Sequence, residues 1–280
     1  MCRIVALPPN FPKKKALEIV NDFYLGNDDG TGSVYVKDGK FVVNKWNFSF
    51  EDVVKKKLPL FDHMPYNGWT LAHVRAASHG GNTMNNTHPF VKGDTAMVHN
   101  GIFREYAPVK AALASTHTFK GQTDSEVAHA LYQVAGKEKF AGAVESGVFM
   151  FLNRSGRVNV IGKSGGDLVF QKTKYGVIMS SELPRTYRRM QTVMEGVFTL
   201  GKNGQIIYSN WEKDTPASWN YGYTEYAEYA PKKQNWKKDK KGKISIQKDD
   251  FDVYPTEEDF LTELDGDKAI RGYKWCSHLD

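Results

Sequence analysis

Short runs in which apolar residues fall at every second position dominate the first two-thirds of the chain. They occupy 2–7, 33–37, 40–45, 69–75, 95–99, 147–153, 158–162, 168–172, 175–180, 195–200 and 205–208, and this spacing predicts strands. Asp38-Gly39 and Asn203-Gly204 sit between neighbouring runs, where such pairs favour tight hairpins. Helical spacing is scarcer. It appears at 13–25, 50–58 and 104–114, and most clearly at 124–135, which has an acidic start and Val127, Leu131 and Val134 on one face. Many strands with a few longer helices predict an α+β fold built in layers.

The pattern changes at Trp211. From there to 243 the chain is rich in Tyr, Trp and Lys and poor in branched aliphatics, which predicts a surface-wrapping or mobile segment. A short helix is expected after Pro255, with Thr256 as its cap, Phe260, Leu261 and Leu264 inside, and Gly266 as its stop. A length of 280 residues suits one large domain with a tail, or one domain plus a very small second one. The apolar runs are far too short to span a bilayer, and the N-terminal stretch lacks a signal peptide's apolar core. Two cysteines make no disulfide framework, so the expected compartment is a reducing cytoplasm, with Cys276 incidental.

The formal net charge is +6, and residues 232–243, with seven lysines and one aspartate, account for all of it. The rest of the chain is near neutral, so basicity gives the main body no case for binding nucleic acid. Only 232–243, with Trp236 among its lysines, offers phosphate contacts and stacking, and a solvated tail is the simpler reading.

Chemistry begins at Met1-Cys2. Removal of Met1 would leave a cysteine whose own α-amine, with a pKa of roughly 7.7–8.0, is a usable base beside a thiol of roughly 8.5. One residue would then supply both nucleophile and base. Downstream come LAHVRAASHGGNTMNNTHPF, TAMVHNGIFREY and GQTDSEVAHALY. Taken with Met1-Cys2, and in this order, these segments resemble the glutaminase domain of class II glutamine amidotransferases, a family of N-terminal-nucleophile hydrolases. The resemblance covers about residues 1–210, and VFQKTKYGVIMSSE resembles the family's later strands.

The resemblance implies an αββα sandwich over 1–210, with 211–280 as an extension of unknown role. It implies that Cys2 attacks the side-chain amide of glutamine, giving ammonia, a γ-glutamyl thioester and then glutamate. Arg75 matches the residue that grips the substrate α-carboxylate, which suits a planar guanidinium, and Asp124 the one that receives the α-ammonium. Asn100 and Gly101 match the oxyanion-hole turn. Ser78 and His79 would line the glutamine pocket. Taken singly, each has an ordinary alternative: a strand-end arginine, a helix-start acid, an Asn-Gly turn, polar loop residues. His73, His88 and His99 are read as orienting the site's loops. With no CxxC, HExxH or tight HxH present, neither metal nor cofactor is expected.

The chain departs from the family pattern at three points. Arg3 stands where the family usually has Gly, and Ala76 stands where the synthases usually have an aromatic residue beside an ammonia tunnel. The residues after Tyr208 are too few for a synthase module. The expected partners are therefore glutamine or another γ-glutamyl amide, with ammonia passed to a separate acceptor subunit or released by a stand-alone hydrolase. A catalytically idle relative acting as a nucleic-acid-binding or scaffolding protein is the third reading.

Overall fold

The alternating runs become two antiparallel sheets. The computed structural model describes residues 2–210 apart from 24–26, 79, 182–190 and 193–194, and gives only the backbone at 191–192. In chain order the elements are β1 (Arg3–Leu7), α1 (Lys13–Phe23), β2 (Thr31–Lys37), β3 (Lys40–Trp46), α2 (Phe50–Lys55), β4 (Thr70–Val74), β5 (Phe90–Lys92), β6 (Thr95–Asn100), α3 (Tyr106–Leu113), α4 (Asp124–Ala143), β7 (Gly147–Asn153), β8 (Val158–Lys163), β9 (Val169–Thr173), β10 (Gly176–Ser180), β11 (Gln191–Thr192), β12 (Gly196–Leu200) and β13 (Ile206–Asn210). One sheet has seven strands in the order β11-β9-β10-β1-β4-β2-β3, and the other has six, in the order β13-β12-β8-β7-β6-β5.

Three apolar clusters define four layers. Ile4, Ala6, Val34, Leu71 and Met179 of the first sheet pack on Val98, Val148, Met150, Leu152, Val160 and Phe198 of the second. The alternate residues Val5, Leu7, Ala72 and Val74 face away and bury Ile19, Val20 and Phe23 of α1 with Phe50 and Val53 of α2. On the other side Met97, Phe149, Phe151 and Ile161 pack on Val127, Ala128, Tyr132 and Phe140 of α4. The result is the αββα sandwich. Because both faces of β1, β4 and β7 are buried, these strands read as nearly continuous apolar runs. Each fully buried aliphatic side chain contributes about 1.5–3 kcal/mol. The Trp69 indole N–H donates to the Gly201 carbonyl at 2.7 Å and so ties the start of β4 to the β12–β13 turn of the opposite sheet.

The hairpin expected at Asp38-Gly39 joins β2 to β3, with φ of 51° and 70° at its two central residues. The helix expected over 124–135 continues to Ala143, but Gly136 has φ 75° and ψ 172°, so the regular helix breaks one residue after the predicted end. Val134 is 61% exposed, contrary to expectation. The buried face of α4 is instead built on Ala128 and Tyr132, because the helix rolls its small residues and one ring against β6 and β7. Helices α2 and α3 are shorter than expected, and the expected end of α1 at 24–25 lies outside the described residues. A left-handed backbone at Lys57, φ 52°, follows the end of α2. Strands β5 and β11 have too few residues to show alternation and were not expected. The tail 211–280, with its lysine run, the helix expected after Pro255 and Cys276, lies outside the described residues. No helix among the described residues is long and apolar enough to cross a membrane.

Candidate active site

Cys2 stands immediately before β1, a central strand of its sheet. The Ile4 N–H donates to Ser181 Oγ at 3.0 Å, and the Ile4 carbonyl accepts from the Ser181 N–H and the Ser180 hydroxyl, each at 3.0 Å. These bonds fix the strand two residues from the sulfur. The Cys2 thiol donates to the Ala76 carbonyl at 3.4 Å. The residue as a whole is half-buried, whereas its sulfur is enclosed by protein. Burial is the main influence on the thiol and raises its pKa; the Ala76 backbone and the Arg75 guanidinium pull it down, and the Asp124 carboxylate adds to the rise. Arg3 turns back to donate to the Cys2 carbonyl at 3.2 Å.

The pairing of Arg3 with Val74 in the β1–β4 ladder carries Arg75 to the nucleophile's end of the sheet. Its backbone is held from both sides: Arg75 N–H donates to the Gly30 carbonyl at 2.8 Å, and Asp29 N–H donates to the Arg75 carbonyl at 3.1 Å. The Asp29 carboxylate also accepts from the Ala77 N–H at 2.7 Å. The guanidinium is buried and donates to the Gly81 and Gly80 carbonyls at 3.4 and 3.5 Å. Ser78 lies exposed on the loop that follows, and His79 lies outside the described residues.

The other half of the site comes from the second sheet. Asn100 ends β6; its carboxamide is buried, and the oxygen has no hydrogen-bond partner among the described residues. Gly101 has φ 142°, and a Cβ there would lie 2.6 Å from Gly147 Cα. Only glycine fits both that dihedral and that contact. The His99 ring stacks on Phe149 at 4.1 Å and accepts from or donates to Ser125 Oγ at 3.0 Å. Ser125 N–H donates to Asp124 Oδ1 at 2.9 Å, and Phe103 N–H donates to Oδ2 at 2.7 Å. Asp124 is therefore both the first residue of α4, capped by the Thr123 hydroxyl, and the acceptor that binds the chain leaving the Asn100-Gly101 turn. The helix-start reading of this residue holds, and it leaves room for the site reading.

His73 and His88 stack at 4.0 Å in the interior, behind Arg75. Burial lowers His73 to about 3, with Arg75 adding to the effect, and pushes His88 well below the usual imidazole range. Lys45 spans the segment beside them, donating to the Thr87 and Pro89 carbonyls at 2.8 and 3.3 Å. Gly32 makes room for that crossing, since a Cβ there would meet the His88 carbonyl at 2.3 Å. Among the described residues no cluster of three or more His, Cys, Asp or Glu is arranged to hold a metal ion.

These imidazoles make stability pH-dependent. The unfolded chain binds a proton on each below about pH 6.5. His73, His99 and His129, lowered by burial to about 3, about 4 and about 3, stay neutral in the folded protein until much lower pH. Between those limits the unfolded state holds more protons, so acidification destabilises the fold. Three such groups are expected to give a slope of about 4 kcal/mol per pH unit near pH 5. Urea unfolding between about pH 6.5 and about pH 4.5 measures this slope, and a flat profile would contradict neutral buried imidazoles.

The Cys2 sulfur thus feels the charges of Arg75 and Asp124, and Asp124 binds the chain that leaves the Asn100-Gly101 turn. Nothing in the sequence marks Asp29 or the Ala76 carbonyl. Ser125 and Asn86 lie within the motifs, with no local feature that sets them apart from neighbouring polar residues.

A family model described as a glutamine amidotransferase domain matches residues 62–196. The glutamine–fructose-6-phosphate aminotransferase (isomerizing) of Helicobacter pylori is 29% identical over 196 residues, covering 65% of this chain and 32% of that protein. The enzyme of the same name from Zymomonas mobilis is 43% identical over 72 residues, covering 24% of this chain and 12% of its own. The chain thus spans at most about a third of the length of these relatives. Glutamine phosphoribosylpyrophosphate amidotransferase from B. subtilis superposes with a TM-score of 0.59 at 14% identity, covering 76% of this chain and 50% of its own. A glutamine aminotransferase class-II domain protein from Silicibacter pomeroyi gives 0.52 at 17%, covering 77% of this chain and all of that one.

Proposed function

Because this chain belongs to the class II glutamine amidotransferases, we propose that it cleaves the side-chain amide of glutamine with Cys2, once Met1 is removed, as nucleophile. One observation carries the reading: the Cys2 sulfur lies within electrostatic reach of both the Arg75 guanidinium and the Asp124 carboxylate. A cation and an anion whose charges both reach one thiol suit the carboxylate and ammonium ends of an α-amino acid.

In this reading Arg75 takes the α-carboxylate and Asp124 the α-ammonium. Attack by a thiol needs a base, since the thiolate is the nucleophile, and the α-amine of a terminal Cys2 supplies it. The amine takes the thiol proton as the sulfur bonds to the amide carbon. Negative charge gathers on the amide oxygen, against the Asn100 carboxamide and the Gly101 N–H. The carbon–nitrogen bond then breaks, its electron pair and the proton held by the amine leave as ammonia, and a γ-glutamyl thioester remains. Water, deprotonated by the same amine, adds to the thioester carbon; the carbon–sulfur bond breaks, the sulfur takes the proton back from the amine, and glutamate is released.

Intact-mass analysis after treatment with a diazo-ketone analogue of glutamine tests the whole assignment. The expected result is a protein lacking Met1, with a single adduct on Cys2 that forms more slowly in Arg75→Ala. Labelling confined to Cys276, or full activity with Met1 retained, would sink it.

A further inference from the structure

Arg75 follows β4 of one sheet and Asp124 opens α4, which packs on the other, so something must set the distance between them. Asn86 closes a single 3-10 turn, Met84–Asn86, and is 2% exposed. Its carboxamide nitrogen donates to the Gly81 carbonyl at 2.9 Å, and its oxygen accepts from the Gln122 N–H at 2.8 Å. The Gly81 carbonyl also receives the Arg75 guanidinium, and Gln122 lies two residues ahead of Asp124. Of three consecutive N–H groups leading into α4, the Glu126 carboxylate accepts those of Lys120 and Gly121, and Asn86 accepts the third. Glycines flank the carboxamide on both sides. A Cβ on Gly80 would lie 2.7 Å from Asn86 Nδ2, and one on Gly121 would lie 2.8 Å from Oδ1.

We infer that Asn86 is a positioning residue that fixes the spacing between the α-carboxylate and α-ammonium sites, and so the preference for an amino-acid-bearing amide. The inference rests on the roles proposed above for Arg75 and Asp124. A carboxamide suits the task because it donates at one end and accepts at the other across a fixed span. An aspartate keeps the acceptor toward Gln122 but has no donor for Gly81.

The test compares two alkylating probes on the full chain: the diazo-ketone glutamine analogue, which carries both α-groups, and iodoacetamide, which carries neither. In Asn86→Asp the rate of Cys2 labelling by the analogue is expected to fall about tenfold, the equivalent of one lost buried hydrogen bond, with the iodoacetamide rate within about twofold of wild type. Gly121→Ala presses on the carboxamide from the opposite side and is expected to shift the same ratio, which keeps the question decidable if Asn86→Asp does not fold. An unchanged ratio of the two rates in either folded variant overturns the positioning role. A general loosening of the site would move both rates together and would overturn it equally. If wild-type Cys2 reacts with iodoacetamide but not with the analogue, it is the glutaminase reading that fails.

Discussion

Replacing Cys2 by alanine is expected to abolish glutamate release from glutamine, a loss on the order of 10⁴-fold or more. The proposed reaction runs through a thioester, and an alanine methyl cannot form one. Cys2 is the only cysteine among the described residues, and none of them places a second thiol at the site. Binding should survive, because Arg75 is held by Gly30, Gly80 and Gly81, and Asp124 by Phe103 and Ser125, with no bond to the sulfur side chain in either set. Glutamine should therefore still raise the melting temperature of Cys2→Ala by mass action. Measurable turnover in this variant would put the chemistry elsewhere. Loss of the thermal shift along with turnover would mean that the sulfur holds the pocket together and is no nucleophile.

The second large effect is expected at Asn100. Asn100→Ala should lower the limiting rate by about 10²–10³-fold, with the half-saturating glutamine concentration little changed. The carboxamide sits at the end of β6, against the glycine turn whose close contact with Gly147 leaves no freedom to adjust. A donor fixed in this way acts on charge that appears only as the tetrahedral intermediate forms, so its removal is felt in turnover more than in binding. A raised half-saturation with unchanged limiting rate would assign Asn100 to ground-state recognition instead.

Much of this architecture is legible in the sequence, and the unread parts have physical reasons. Strands such as β1, β6 and β7 have strong apolar patterns, and the Asp38-Gly39 turn carries its own dihedral requirement, so both kinds of feature declare themselves locally. Edge pieces of two or three residues cannot show a period. Val134 was misplaced because a helix's spacing gives the width of its apolar face but not how far the helix rolls on the sheet below. At the site, side chains proposed to touch substrate stand in motifs and could be named. Those that support them could not. Asp29 is 46 positions before Arg75, and only the β2–β4 ladder brings it to the Ala77 N–H. Asn86 reads as one polar residue among several in NNTHPF until the fold carries Gln122 across to it.

The site's ownership is divided: the sulfur and guanidinium hang from one sheet, the oxyanion turn from the other, and the carboxylate from the helix packed on that second sheet. Reaction geometry is therefore a gauge of how the two sheets slide and rotate on each other, and the inner apolar layer serves as its bearing surface. Helices α1 and α2 touch only the back of the first sheet, so their sequence can drift without disturbing this alignment, whereas α4 carries the carboxylate and is bound to it.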